Sequence, residues 1–533
     1  MQLFSHTGLL GHSVQGGALE ALVCATAACG FLLFGYDQGI MSGIITEDNF
    51  LTYFPKMAPH NKSGAIQALV VAIYEIGCLI GSIFIIFYGD RMGRRRAVLL
   101  GVAIMLIGTV LQASSFEIGQ LIVGRIVTGV GNGMNTSSIP VWQSEMAPPK
   151  IRGFLVLFEG ALIAGGIMIS YWLNYGFFFV TQYGSFQWRF PLAFQAVFAI
   201  ILFLGVVALP ESPRWLLKHD KDKVALEILT RLKRCPAEDP IIQEEVAHIK
   251  KIKEITDGKK LTLKEFYGNG PEMNRWRVTI GYTSQFFQQI GGTNLVTYYA
   301  TTVFEDSLGF SPALSRLLTA CYGTLYLIAA IAALFIVDRY GRRRMLIVGS
   351  VGMGTSAMVI GTCLSQSTET YKAPAYVATV FIFIFIAFFA LGWLGITWLY
   401  PAEVTPIRIR AEANGLSTSF NWLGNYAVVQ LAPIMIYSIS WKTYFVFMCT
   451  NFAFIPVIYL TFVETKGYPL EQLDAIFEEA KKKGENPVWT EKRVRRERKA
   501  RELAEKNGEL MLEEEKESQP TSIVGKEGGD ENA

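Results

Sequence analysis

Charge is scarce in this sequence. Only 17% of its 533 residues are Asp, Glu, Lys or Arg, where soluble domains carry about a quarter. The 48 basic and 45 acidic residues nearly cancel, which leaves no bulk charge to hold a nucleic acid. Cysteine is sparse as well. Most of the seven lie inside apolar runs, as Cys24, Cys29, Cys78, Cys321 and Cys449 do; that excludes a disulfide scaffold and a zinc site and suits small buried hydrophobes. The five histidines, His6, His12, His60, His219 and His248, all fall outside those runs. With no nucleophile–base pairing, no Gly-rich phosphate loop and no metal-ligand spacing, neither an enzyme nor a bound metal or cofactor is expected.

Long apolar runs are what the sequence has in abundance. A membrane-crossing helix needs about 20 mostly apolar residues, and twelve runs qualify: 18–44, 65–88, 97–115, 118–142, 153–180 and 189–209, then 276–303, 314–337, 345–364, 373–400, 411–437 and 441–463. They are numbered below as spans one to twelve. The first has no Lys or Arg before it, is too long for the core of a signal peptide and is followed by no cleavage site, so it reads as a true span. The expected organisation is an N-terminal segment 1–17, a six-helix bundle 18–209, a linker 210–275 with short helices near 222–235 and 241–255, a second six-helix bundle 276–463, and a largely disordered tail 464–533. This is an all-α membrane protein of twelve transmembrane helices in two six-helix bundles.

Orientation follows from the basic loops, which stay in the cytoplasm. The loop after span two reads D-R-M-G-R-R-R from Asp90, and the loop after span eight reads D-R-Y-G-R-R-R from Asp338. Both face inward, as do the basic linker and tail, so both termini are expected in the cytoplasm. The sequon Asn61-Lys62-Ser63 falls on the opposite side and is open to glycosylation.

Those two loops are also copies of each other, displaced by 248 residues. A second pair, E-M-A-P-P-K-I-R from Glu145 to Arg152 and E-V-T-P-I-R-I-R from Glu403 to Arg410, is displaced by 258. A third, Glu211 with Arg214 after span six and Glu464 after span twelve, is displaced by 253. Three matched motifs in one order mark the halves as structural copies, the layout of a carrier that rocks two bundles about a central site. The charged residues Asp90, Arg94, Glu145, Arg152, Glu211, Arg214, Asp338, Arg342, Glu403, Arg410 and Glu464 are therefore a candidate cytoplasmic gate, expected to pair across the halves when their inner ends meet. Exposed pairs contribute about 0 to 1 kcal/mol each, enough in sum to bias two states without locking either. Marking topology is the plainer use of the same basic residues.

From about Gly30 to Glu479 the chain resembles the sugar porter family of the major facilitator superfamily, in a fungal form. The residues that carry this are G-Y-D-Q-G-I-M-S-G from Gly35 to Gly43, Gly124-Arg125, P-E-S-P-R from Pro210 to Arg214, and Q-Q-I-G-G-T-N from Gln288 to Asn294. The resemblance implies sugar hydrogen bonds from Gln288, Gln289 and Asn294 on span seven, an apolar ring face from Trp398 on span ten and a further amide from Asn421 on span eleven. Amides suit a polyhydroxylated, uncharged solute because each both donates and accepts; hydrogen bonding between helices is their other common use in membranes. Two departures stand out. Gly160, beside Glu159, occupies the family's span-five amide position, and Tyr326 occupies a position that hexose carriers often give to Asn. Tyr326 and the surroundings of Glu159 are similar to the fungal glycerol/proton symporter branch.

Asp37 lies deep in span one, where an ionisable group is costly unless neutral, paired or watered. The resemblance implies that it pairs with Arg125 of span four in proton-coupled members; in a facilitator the same pair is a fixed salt bridge. The expected function is therefore plasma-membrane import of a monosaccharide, hexose or pentose, by alternating access with proton symport, the chain working as a monomer among lipids. A polyol/proton symporter, a facilitative sugar carrier and a non-transporting sugar sensor are the alternatives.

Overall fold

The computed structural model of the chain describes residues 6–8, 14–58, 64–148, 152–256, 262–368, 371–406 and 408–518. The sequon at 61–63 and the side chain of Arg152 lie outside the described residues. Every regular element among those described is helical. The first half comprises Gly17–Ile44, Ala65–Met92, Arg94–Ala113, Ile118–Met146, Arg152–Phe178 and Phe186–Ala208, spans one to six. The linker holds short helices at Pro213–Lys218, Asp222–Lys233, Pro240–Thr256 and Leu263–Phe266. In the second half, span seven is two helices, Asn274–Ile290 and Thr293–Thr302, and spans eight and nine are Pro312–Tyr340 and Arg342–Gln366. Span ten runs from Ala373–Phe389 through a π-helical turn at Ala390–Leu394 into Ile396–Val404, and spans eleven and twelve are Arg410–Ile439 and Lys442–Thr461.

Among the described residues, ten helices are long and apolar enough by themselves to cross a bilayer. The other two crossings carry the polar interior. Span four buries Arg125, Asn132, Asn135 and Gln143, which lowers its hydropathy, and span seven is interrupted at Gly291 and Gly292. The interruption needs glycine: Gly292 has φ +97°, and a Cβ there would lie 2.5 Å from the Phe447 ring. Large apolar side chains such as Phe87 and Phe335, 70% and 72% exposed, sit on the outside of the bundle, the inverse of a soluble surface and the natural face for lipid.

Helices come close where side chains are small, as is usual in membranes. A Cβ on Gly133 of span four would stand 2.0 Å from the carbonyl oxygen of Cys78 in span two. The halves meet chiefly where span five packs on span eight, span two on span eleven and span one on Thr293–Thr302, with span five also touching Ile396–Val404 of span ten.

For the tail, expected to be largely disordered or, from about Val488, a loosely formed helix, the structure describes helices at Leu470–Lys483 and Pro487–Ser518. They are held by contacts that composition does not reveal. Arg277, at the start of span seven, pairs with Asp474 and stacks over the buried Phe477 ring; Val488 and Thr490 are fully buried; and Asn486 donates to the Leu460 carbonyl at 2.8 Å.

Candidate functional site

The broken span seven and the π-turn of span ten place polar groups at membrane depth, where each needs a partner. Gln288 donates to the carbonyl oxygens of Trp393 and Leu394 at 3.0 and 3.1 Å, carbonyls that the π-turn presents sideways. Its own oxygen accepts from Asn421 at 2.9 Å and from Gln289 at 3.1 Å. Asn421 also donates to Gln285 at 2.5 Å, and Asn294 donates to Gln289 and to Asn425 at 2.6 Å.

These amides border one cavity between the halves. Gln288, Gln289, Asn294, Trp398 and Asn421 all line it, with Thr297, Tyr326, Phe389 and Leu394 from the same half and Phe34, Gln38, Ile163 and Ile167 from the other. No carboxylate, ammonium or guanidinium is among these residues. The cavity is contracted to about 30 Å³, room for a water or two, so admitting a sugar ring requires the halves to move apart. Gly160, at the family's amide position, backs onto Leu394, whose Cγ would lie 3.2 Å from a Cβ there. The close seat of span five on span ten thus takes the room an amide would fill.

Asp37 and Arg125 are both fully buried and close enough to interact electrostatically, but the expected ion pair is not formed in this conformation. Neither Asp37 oxygen has a hydrogen-bond partner, and Nε and Nη1 of Arg125 have none. Arg125 instead donates to the Val71 carbonyl at 3.1 Å and lies over the Tyr74 ring at 4.5 Å. A guanidinium held by a carbonyl and a ring face leaves its carboxylate-binding edge unused.

At the end carrying the basic loops the two halves repeat one arrangement. Arg94 pairs with Glu145 at 3.1 Å and Asp90 at 3.3 Å; Arg342 pairs with Glu403 at 3.0 Å and Asp338 at 2.8 Å. Glu211 accepts from the backbone N–H of Arg94 and Arg95 at 3.2 Å, and Glu464 from those of Arg342 and Arg343 at 2.8 and 3.2 Å. Each carboxylate caps the free N–H groups that open the third helix of its half. Burial pushes the Glu211 carboxyl up, and the N–H groups of Ser212 and Arg95 draw it back. Among the described residues these ion pairs all lie within one half; pairing across the halves is the expectation for the conformation in which the far end opens. Arg410 turns to the Thr405 carbonyl at 3.0 Å, and Arg214 forms no ion pair with a described residue.

The far end is where the halves lock. Arg316 of span eight donates to Thr46 at 2.7 Å, approaches Glu305 at 3.5 Å and stacks over Phe178 at 4.3 Å. The Thr301 N–H donates to Ser42 at 3.2 Å. The charges at the basic-loop end pair within their own halves.

Sequence reasoning passed over Gln38, next to Asp37, and Glu75. Glu75 is fully buried in span two, and its signal was plain: a lone carboxyl in an otherwise apolar run.

Residues 23–477 match the family model for the sugar (and other) transporters. The sugar transporter STL1 of Saccharomyces cerevisiae is 38% identical over 91% of this chain and 84% of its own length; the major facilitator superfamily transporter mfsA of Aspergillus fumigatus is 37% identical over 89% of each. Among solved structures, the proton:xylose symporter XylE bound to 6-bromo-6-deoxy-D-glucose superposes with a TM-score of 0.73 at 27% identity, covering 87% of this chain and all of the other. The chain belongs to the sugar porter family of the major facilitator superfamily, transporters rather than enzymes.

Proposed function

We propose that this protein imports an uncharged monosaccharide, a hexose or pentose, across the plasma membrane by alternating access, together with a proton. The observation that carries this is the cavity between the halves, lined by amides and aromatic rings and by no charged group. Amides match sugar hydroxyls without demanding charge, and Trp398 offers a ring face to the pyranose. The basic loops orient the chain with both termini in the cytoplasm; the sealed far end is then the outer one, and the cycle requires Arg316 and Ser42 to release their partners.

Proton coupling is supported by the unpaired Asp37 beside Arg125 and by the likeness to a structure described as a proton:xylose symporter. A carboxyl whose contact with a guanidinium changes between states changes its proton affinity with them. One proton moving down 100 mV is worth about 2.3 kcal/mol, about fiftyfold accumulation of a neutral solute. A polyol is the second reading, favoured by Tyr326, whose buried ring narrows the cavity.

The test is uptake in transporter-null cells. Competition by glucose, galactose, xylose, arabinose and glycerol identifies the substrate. Asp37→Asn is expected to cut uphill accumulation by a larger factor than counterflow exchange. Uphill uptake that survives Asp37→Asn would remove the proton from the reading.

A further inference from the structure

We propose that Glu75 is a second coupling carboxyl, which carries word of sugar occupancy to the Asp37 and Arg125 site through Tyr298. The inference rests on the symport reading above. Glu75 stands on span two with no solvent exposure. Its Oε1 accepts a hydrogen bond from the Tyr298 hydroxyl on the second helix of span seven, so the bond crosses between the halves. Asn425 approaches the same hydroxyl at 3.5 Å and accepts from Asn294 at 2.6 Å, and Asn294 donates in turn to Gln289. One unbroken line of hydrogen bonds therefore runs from two cavity-lining amides to a buried acid.

The other side of Glu75 faces the proton site. Both Arg125 and Asp37 are near enough to act on it electrostatically, and its Oε2 has no hydrogen-bond partner. The titratable or charged groups around it are Asp37 of span one, Tyr74 and Cys78 of its own helix, Arg125 of span four and Tyr298 of span seven. One guanidinium can neutralise one carboxylate. Two carboxylates around it would leave an excess negative charge in the membrane interior, which is prohibitively costly, so the cluster is built to hold one proton more than an Asp–Arg pair alone.

A sugar hydroxyl that engages Asn294 and Gln289 takes up hydrogen bonds those amides now give to each other and to Asn425. Asn425 and Tyr298 then re-partner, and Glu75 loses its donor. A carboxylate stripped of its donor in this setting binds a proton from the outer water. Per cycle one proton enters from outside and leaves to the cytoplasm. Sugar and proton each favour the other's binding, and the linkage is reciprocal.

The test compares wild type, Asp37→Asn, Glu75→Gln and Tyr298→Phe in transporter-null cells. The probe is whichever of D-glucose, D-xylose or glycerol the wild type takes up fastest. KM is measured at external pH of about 5 and about 7, with accumulation before and after a protonophore. Coupling of the usual size changes affinity about 5- to 150-fold. The wild-type KM ratio between the two pH values is expected in that range, near one in Glu75→Gln and reduced in Tyr298→Phe, with accumulation falling alongside. If Asp37→Asn loses the ratio while Glu75→Gln keeps it, the role of Glu75 is overturned and the symport reading stands. If Glu75→Gln does not reach the surface, Tyr298→Phe decides: a wild-type ratio and wild-type accumulation overturn the proposal. A wild type with no proton-linked accumulation overturns both readings.

Discussion

Gln288 donates its amide to the carbonyl of Trp393 at 3.0 Å, tying the first helix of span seven to the π-turn of span ten. One side chain thereby both supports an interrupted helix and lines the cavity.

Removing it should cost twice. Losing hydrogen bonds that leave buried carbonyls unsatisfied costs about 1 to 3 kcal/mol. Gln288→Ala is expected to raise KM about tenfold or more and to lower the melting temperature in detergent by a few degrees. Uptake kinetics and thermal unfolding of the purified protein check the two effects separately, and an unchanged KM would contradict a binding role.

Gly93 and Gly341 predict a matched pair of defects. Both have positive φ, 87° and 95°, and a Cβ would come within 2.8 Å of Glu211 Oε2 and 2.5 Å of Glu464 Oε2. With ψ of 159° and 157°, both lie in a backbone region open essentially to glycine alone, so alanine at either adds about 1 to 3 kcal/mol of strain and pushes a capping carboxylate off its N–H groups. Gly93→Ala and Gly341→Ala should each lower thermal stability, by similar amounts. A stable Gly93→Ala would show that the cap is dispensable.

Arg316→Ala should loosen the seal at the far end. Its guanidinium joins Thr46, Glu305 and Phe178, and alanine reaches none of them. With Ser42→Cys as reporter, labelling by a membrane-impermeant thiol reagent should rise severalfold in the Arg316→Ala background. Equal labelling would place the seal elsewhere.

Tyr326→Asn should shift selectivity toward larger solutes. It replaces a buried ring at the cavity wall with a shorter amide, opening space and adding a donor and an acceptor. The ratio of glucose to glycerol inhibition in the competition assay should increase.

Much of this was legible because membrane physics writes itself into sequence plainly. Apolar run length marks the spans, and the repeated D-R-x-G-R-R-R loops mark the halves. The cavity amides were legible by family likeness, and they share one hollow because span seven breaks beside them. Glu75 was passed over although one acid in an apolar run is the signal to seek, because no motif drew attention to it. The destinations of Arg94 and Arg342 could not be read: a list of charges does not say which carboxylate lies within reach until the helix ends are packed. The tail helices escaped for a similar reason, since they depend on partners such as Arg277, nearly two hundred residues away in sequence.

That last arrangement has a practical bearing. Asp474, Phe477, Asn486 and Val488 brace the second bundle from beneath, so the chain beyond span twelve works as a strut. Cutting it near residue 465, or grafting a fluorescent reporter there, would strip Asp474 and Phe477 from Arg277 and leave its guanidinium only the Val404 and Glu272 carbonyls. Fusions belong after Ser518, where the last described helix ends.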